Sequence, residues 1–121
     1  LMAIPTRHMG AQYRTAPHCS LYLPGPEPLL FTGDASPAPS NFFPAGQRLQ
    51  THVLAAPFAF FEENPLRRVV LQRIQPSRAY VLHLPLPQAD TQGLTQQIQQ
   101  NLAGCSLPAI ILQLGQQVEL A

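Results

Sequence analysis

The sequence predicts an α/β domain with a mixed sheet, and three observations carry that expectation. Segments of period-two or continuous apolar character read as strands. Two segments with apolar residues every three or four positions read as helices. The two kinds alternate in the middle of the chain, the pattern of strands linked by crossover helices. The 121 residues fit one domain, and 45% apolar content is ample for a core.

Residues 1–5 form a strand ending at Pro5, and residues 6–17, with Gly10 and Pro17, form a loop. From His18 to Leu23 the chain alternates, with Cys19, Leu21 and Leu23 on one side and His18, Ser20 and Tyr22 on the other. Pro24-Gly25-Pro26 forces a turn, and Leu29–Thr32 returns as the second strand of a hairpin ending on Gly33-Asp34. Residues 35–50 carry Pro37, Pro39, Pro44 and Gly46 and predict a long loop, pinned by Phe42 and Phe43. His52–Ala56 predicts a buried strand, and residues 57–63 a connection whose Phe58, Phe60 and Phe61 belong to the core.

Asn64 and Pro65 are an N-cap and a first helical residue, and Leu66, Val69, Val70 and Ile74 share one face of the helix that follows. Pro76 ends it. Ala79–Leu84 is a continuous apolar run, as expected of a buried strand. Asp90 or Thr91 caps a second helix in which Leu94, Ile98 and Leu102 recur, and Gly104 closes it. Ala109–Leu114 and Gln117–Leu120 predict a closing hairpin around Gly115-Gln116.

Composition excludes some functions. A net charge of +1, with seven arginines and no lysine against six acidic residues, gives no electrostatic case for nucleic acid. No apolar run approaches the length of a membrane span, and the N-terminus lacks the charged and apolar regions of a signal peptide. Opening directly on a strand-like segment suggests a cut through a larger protein. Cys19 and Cys105 are too few for a disulfide framework and read as buried thiols in a reducing cytoplasm.

Three residues occupy one kind of position. His8 lies past the first strand, Asp34 ends the hairpin and His83 ends the apolar strand of residues 79–84. Sites in α/β folds collect at strand ends, and two imidazoles with a carboxylate are ordinary ligands of zinc, manganese or iron. Taken singly, each has a plain structural explanation: a turn or cap for Asp34, and a hydrogen-bonded strand end for each histidine. Arg67 and Arg68 could meet an anion, but read more simply as solvated helix residues.

The segments Pro-Thr-Arg-His-Met-Gly, Leu-Leu-Phe-Thr-Gly-Asp and Val-Leu-His-Leu-Pro resemble the later motifs of the metallo-β-lactamase-fold metallohydrolases. The resemblance spans most of the chain and implies the C-terminal half of an αββα sandwich, so that residues 1–121 are a single partial domain. It implies that His8 and His83 are metal ligands, that Asp34 bridges two zinc ions, with manganese or iron as alternatives, and that a small-molecule ester, lactone, amide or phosphodiester is hydrolysed by a metal-activated water. The family's His-x-His-x-Asp-His cluster is absent, so no residue takes a catalytic role and the chain alone is expected to be inactive, needing the N-terminal half of the fold or a second subunit. The alternative expectation is a non-catalytic half-fold module that works through oligomerisation or partner binding.

Overall fold

A computed structural model describes residues 1–42 and 50–119. It is a mixed α/β fold built on one six-stranded sheet in the order β1-β2-β3-β4-β5-β6. The strands are β1 (Met2–Pro5), β2 (Cys19–Leu23), β3 (Leu29–Phe31), β4 (Val53–Pro57), β5 (Arg78–Leu82) and β6 (Ala109–Ile111). The first three pair antiparallel, and β3 through β6 pair parallel. The crossovers from β4 to β5 and from β5 to β6 carry the helices α1 (Pro65–Ile74) and α2 (Leu94–Ala103). Successive right-handed crossovers that advance one way across a sheet place their helices on the same face. Both helices accordingly pack on one face, where Val70, Ile74 and Ile98 join Leu30, Leu54, Ala56, Ala79 and Val81 in the main core.

The topology also fixes direction. β1 and β3 are both antiparallel to β2, and β5 is parallel to β3. The carboxyl ends of β1, β3 and β5 therefore share one edge of the sheet. His8, Asp34 and His83 each follow one of these ends.

Local chemistry explains most element boundaries. The Asn64 side chain accepts the Leu66 N–H at 2.8 Å, Pro65 opens α1, and Gln75 closes it in the left-handed conformation just before Pro76. The buried face of α1 is rotated from the one expected. Leu66 is 57% exposed, and Leu71 packs on the core instead. Phe58–Phe61 is a short 3-10 turn that sinks Phe60 and Phe61 into the core, and Phe42 joins them. Phe43 lies outside the described residues. Arg67 and Arg68 have internal partners: Arg67 donates to the Ala59 and Pro37 carbonyls, and Arg68 pairs with Glu63.

The alternation in β2 is present, and its buried side is the more polar one. Ser20 and Tyr22 are enclosed, whereas Cys19 and Leu23 are exposed. Ser20 can be buried because its hydroxyl donates to the Thr32 carbonyl at 2.9 Å. His18 precedes the strand instead of lying in it. Both cysteines are free and exposed rather than buried, Cys19 on the outward side of β2 and Cys105 past the end of α2.

The closing hairpin is not observed. β6 pairs parallel with β5 and stops at Ile111, and residues 117–119 form no strand; Leu120 lies outside the described residues. The turn itself is present, with Gly115 at φ +79° and the Gln116 N–H donating to the Gln113 carbonyl. The Gln116 side chain also accepts the Gln113 N–H at 3.1 Å, so the local groups are satisfied without a second strand.

Helix α2 is capped from a distance. Gly93 is its N-cap, and the Asp90 carboxylate accepts the N–H groups of Leu94 and Thr95 at 2.7 and 2.9 Å. The bond from Thr95 leads in holding the Asp90 pKa below the ordinary carboxylate value. A lowered folded-state pKa gives stability that is complete above the unfolded-state pKa and is lost as pH falls through the folded one. Asp90→Ala is therefore expected to lower Tm at pH 7 by a few degrees, with the gap from the parent protein closing in acid. Thermal melts across pH 2–7 check it; a gap that does not depend on pH would show that the carboxylate charge is irrelevant.

Candidate functional site

The loop after β1 and the loop after β3 are sewn together. Met9 N–H donates to the Asp34 carbonyl at 2.7 Å and Ser36 N–H to the Arg7 carbonyl at 2.8 Å, with His8 opposite Ala35 in an antiparallel bridge. Asn41, buried, locks this seam. Its amide donates to the Arg7 and Ser36 carbonyls, and its side-chain oxygen accepts the Arg7 N–H at 2.8 Å. Gly33 turns the chain at φ +58°, a conformation that glycine adopts freely. A Cβ there would also stand 3.1 Å from His18 Nε2.

The three residues singled out by sequence converge. Asp34 Oδ2 lies 3.7 Å from His8 Nε2, and Asp34 Oδ1 lies 3.0 Å from His83 Nδ1. His83 stands on a left-handed backbone, φ +62°, which is uncommon for a residue with a side chain. The Asp34 and His83 side chains are about half exposed, at 47% and 50%. Ion pairs this open are worth about 0–1 kcal/mol, so stability does not account for the grouping.

Proton positions follow from the acceptors. The His8 Nδ1 atom is 2.6 Å from the Met9 carbonyl, which can only accept, so Nδ1 carries a proton and Nε2 is the ring nitrogen turned to Asp34. A fourth residue, His18, stands beside them with its ring edge-on to His8, centroids 5.4 Å apart. A hydrogen-bonded chain orders it. The Ser20 hydroxyl donates to the Thr32 carbonyl, so Ser20 Oγ accepts from Thr6 at 3.2 Å, and Thr6 Oγ1 accepts from His18 Nδ1 at 2.7 Å. His18 therefore carries its proton on Nδ1 and keeps Nε2 bare, against Gly33. Burial, and then the charge of His8, lower the His18 pKa, with Asp34 opposing. Sequence reasoning set His18 aside as a strand residue. The cue to its role was its place on the Ser20 and Tyr22 side of the alternation.

The arrangement is two pairs that share one carboxylate: His8 with Oδ2, and His83 with Oδ1. Among the described residues no group of three or more His, Cys, Asp or Glu is disposed to hold a metal ion, so each pair supplies two donors. Donors on one zinc at the usual bond lengths of about 2.0–2.2 Å stand roughly 3–4 Å apart, and both separations fall in that range. Each pair alone is an incomplete donor set.

No protein-family model matches the chain, and neither does any curated protein or solved structure. No helix among the described residues is long and apolar enough to cross a membrane.

Proposed function

We propose that this chain is the C-terminal part of a metal-dependent hydrolase of the metallo-β-lactamase-like αββα class, acting on an ester, lactone, amide or phosphodiester. The observation that carries the proposal is the Asp34 carboxylate with one imidazole at each oxygen, 3.7 and 3.0 Å away. Asp34 would hold two zinc positions at a fixed separation, with His8 on one and His83 on the other. The Met9 carbonyl fixes the His8 tautomer, and the left-handed backbone at residue 83 aims the other imidazole. When bound, such ions supply a nucleophile near neutral pH and polarise the oxygen under attack. The remaining donors and the catalytic groups belong to the N-terminal half of the sandwich or to a second subunit. Two free thiols fit a reducing compartment such as the cytoplasm.

Zn2+ titration calorimetry of this chain tests the proposal. Two weak positions are expected, with His8→Gln removing one and His83→Gln the other. Both variants binding as the parent does would sink the metal reading.

A second reading, of a non-catalytic association module, draws on the other face of the sheet. Val53, Ala55 and Tyr80 form a small apolar cluster there with Leu29, Phe31, Leu82 and Leu112, and neither helix contributes to it. On the same face Leu23 and Ile110 are 43% and 51% exposed. Unaltered zinc titrations together with a stable oligomer in sedimentation would favour this reading.

A further inference from the structure

At the carboxyl ends of β5 and β6 the surface opens into a cavity of about 1170 Å³. Its walls are the 83–87 segment, one side of α2, and the chain from β6 through the 113–116 turn. His83 lies on its wall, so the cavity begins where the paired imidazoles and carboxylate end.

Its lining is selective. Leu84, Leu102, Ile111 and Leu112 make it largely apolar, and Thr95 and Gln99 add neutral hydrogen-bonding groups. Apart from His83, no ionisable side chain among the described residues lines it. Leu86 and Leu114, also in the lining, are 45% and 88% exposed, an apolar surface left in water. Ligands of open α/β sheets bind in crevices outside the carboxyl ends of strands, and small-molecule pockets are concave and mostly apolar with a few placed polar groups. A charged chain would lose its hydration here and gain no counter-charge. His83, on this wall, also has a positive φ of +62°, uncommon for a residue with a side chain.

We propose that this cavity holds the uncharged alkyl chain of the substrate, with the polar group to be cleaved lying at His83 and Asp34. This rests on the hydrolase reading for the identity of the occupant as substrate, and narrows that substrate to a neutral ester, lactone or amide bearing an aliphatic chain. A phosphodiester, which brings its charge with it, is disfavoured.

The test uses the metal-free chain and a series of 1-alkanols from hexanol to octanol, followed by backbone amide NMR. Each added methylene is expected to tighten binding about fourfold, with shifts concentrated in residues 82–87, 95–103 and 109–116. Gln99→Trp and Ala103→Trp, both at exposed positions of α2 that line the cavity, should weaken octanol at least tenfold. Gln97→Trp, exposed on the same helix but outside the lining, should not. Using two blocking variants guards against one failing to fold. A series without chain-length dependence, shifts elsewhere on the molecule, or indifference to both blocking variants overturns the proposal. So does concentration-dependent self-association that shifts the same amides and excludes octanol, which would make a second copy the occupant. The zinc titration is separate. Zinc binding lost with the alkanol series intact would overturn the metal reading and keep the cavity as an alkyl-chain site.

Discussion

Asp34→Asn is expected to abolish zinc binding at both positions, a loss of more than ~100-fold, while leaving the fold intact. The carboxylate is the element common to the two pairs, with Oδ2 beside His8 and Oδ1 beside His83. Asparagine keeps the shape but removes the charge and turns one oxygen into a hydrogen-bond donor, which repels a cation. Loss of an outer-shell partner alone costs about 10–100-fold in metal affinity, so loss of a shared ligand should exceed that range. The fold should survive for two reasons. The Asp34 and His83 side chains are about half exposed, so their contact contributes about 0–1 kcal/mol. The structural work of residue 34 is done by its backbone carbonyl, which accepts the Met9 N–H. The measurement is the same calorimetric titration, with a thermal melt beside it. If Asp34→Asn binds zinc as the parent does, the donors lie elsewhere, for instance at His52, which stands 3.4 Å from Glu27.

Much of this site was legible because strand direction is encoded in the order of elements. An antiparallel start followed by two strand-helix-strand units sends β1, β3 and β5 the same way, so residues just past each of them meet at one edge. Asn64 and Pro65 mark a helix start by local chemistry alone, and the helix begins there. What was hidden depends on contacts distant in sequence. Asn41 reads as one more polar loop residue, yet it clamps a segment 34 positions away. His18 reads as a strand residue until the Thr6, Ser20 and Thr32 chain is seen to orient it. The predicted closing hairpin failed for a related reason. Alternating apolar residues mark a strand only where a neighbouring edge accepts it, and the Gln113–Gln116 turn satisfies its own groups locally.

Phe60→Ala is expected to destabilise the protein by about 3–5 kcal/mol, the usual cost of removing a buried aromatic ring and leaving a cavity. For a domain of this size that is a fall in Tm of roughly 10–20 °C. Phe60 is fully buried, and its ring meets that of Phe42 edge to face with centroids 5.7 Å apart. The 58–61 turn touches both helices and strands β4 and β5, so the ring sits where every layer of the main core meets. The loss should also reach the site. Phe42 follows Asn41 directly, and Asn41 holds the Arg7 and Ser36 segments that carry His8 and Asp34. Without the ring beneath Phe42, that clamp loses its anchor in the core. Zinc affinity of the folded variant, measured well below its Tm, should therefore fall several-fold although Phe60 touches no candidate ligand. Phe60→Leu, which refills most of the space, should restore both properties in large part. If Phe60→Ala lowered Tm as expected and left zinc affinity untouched, Asn41 would be positioned by its hydrogen bonds alone, and the core beneath it would have no part in shaping the site.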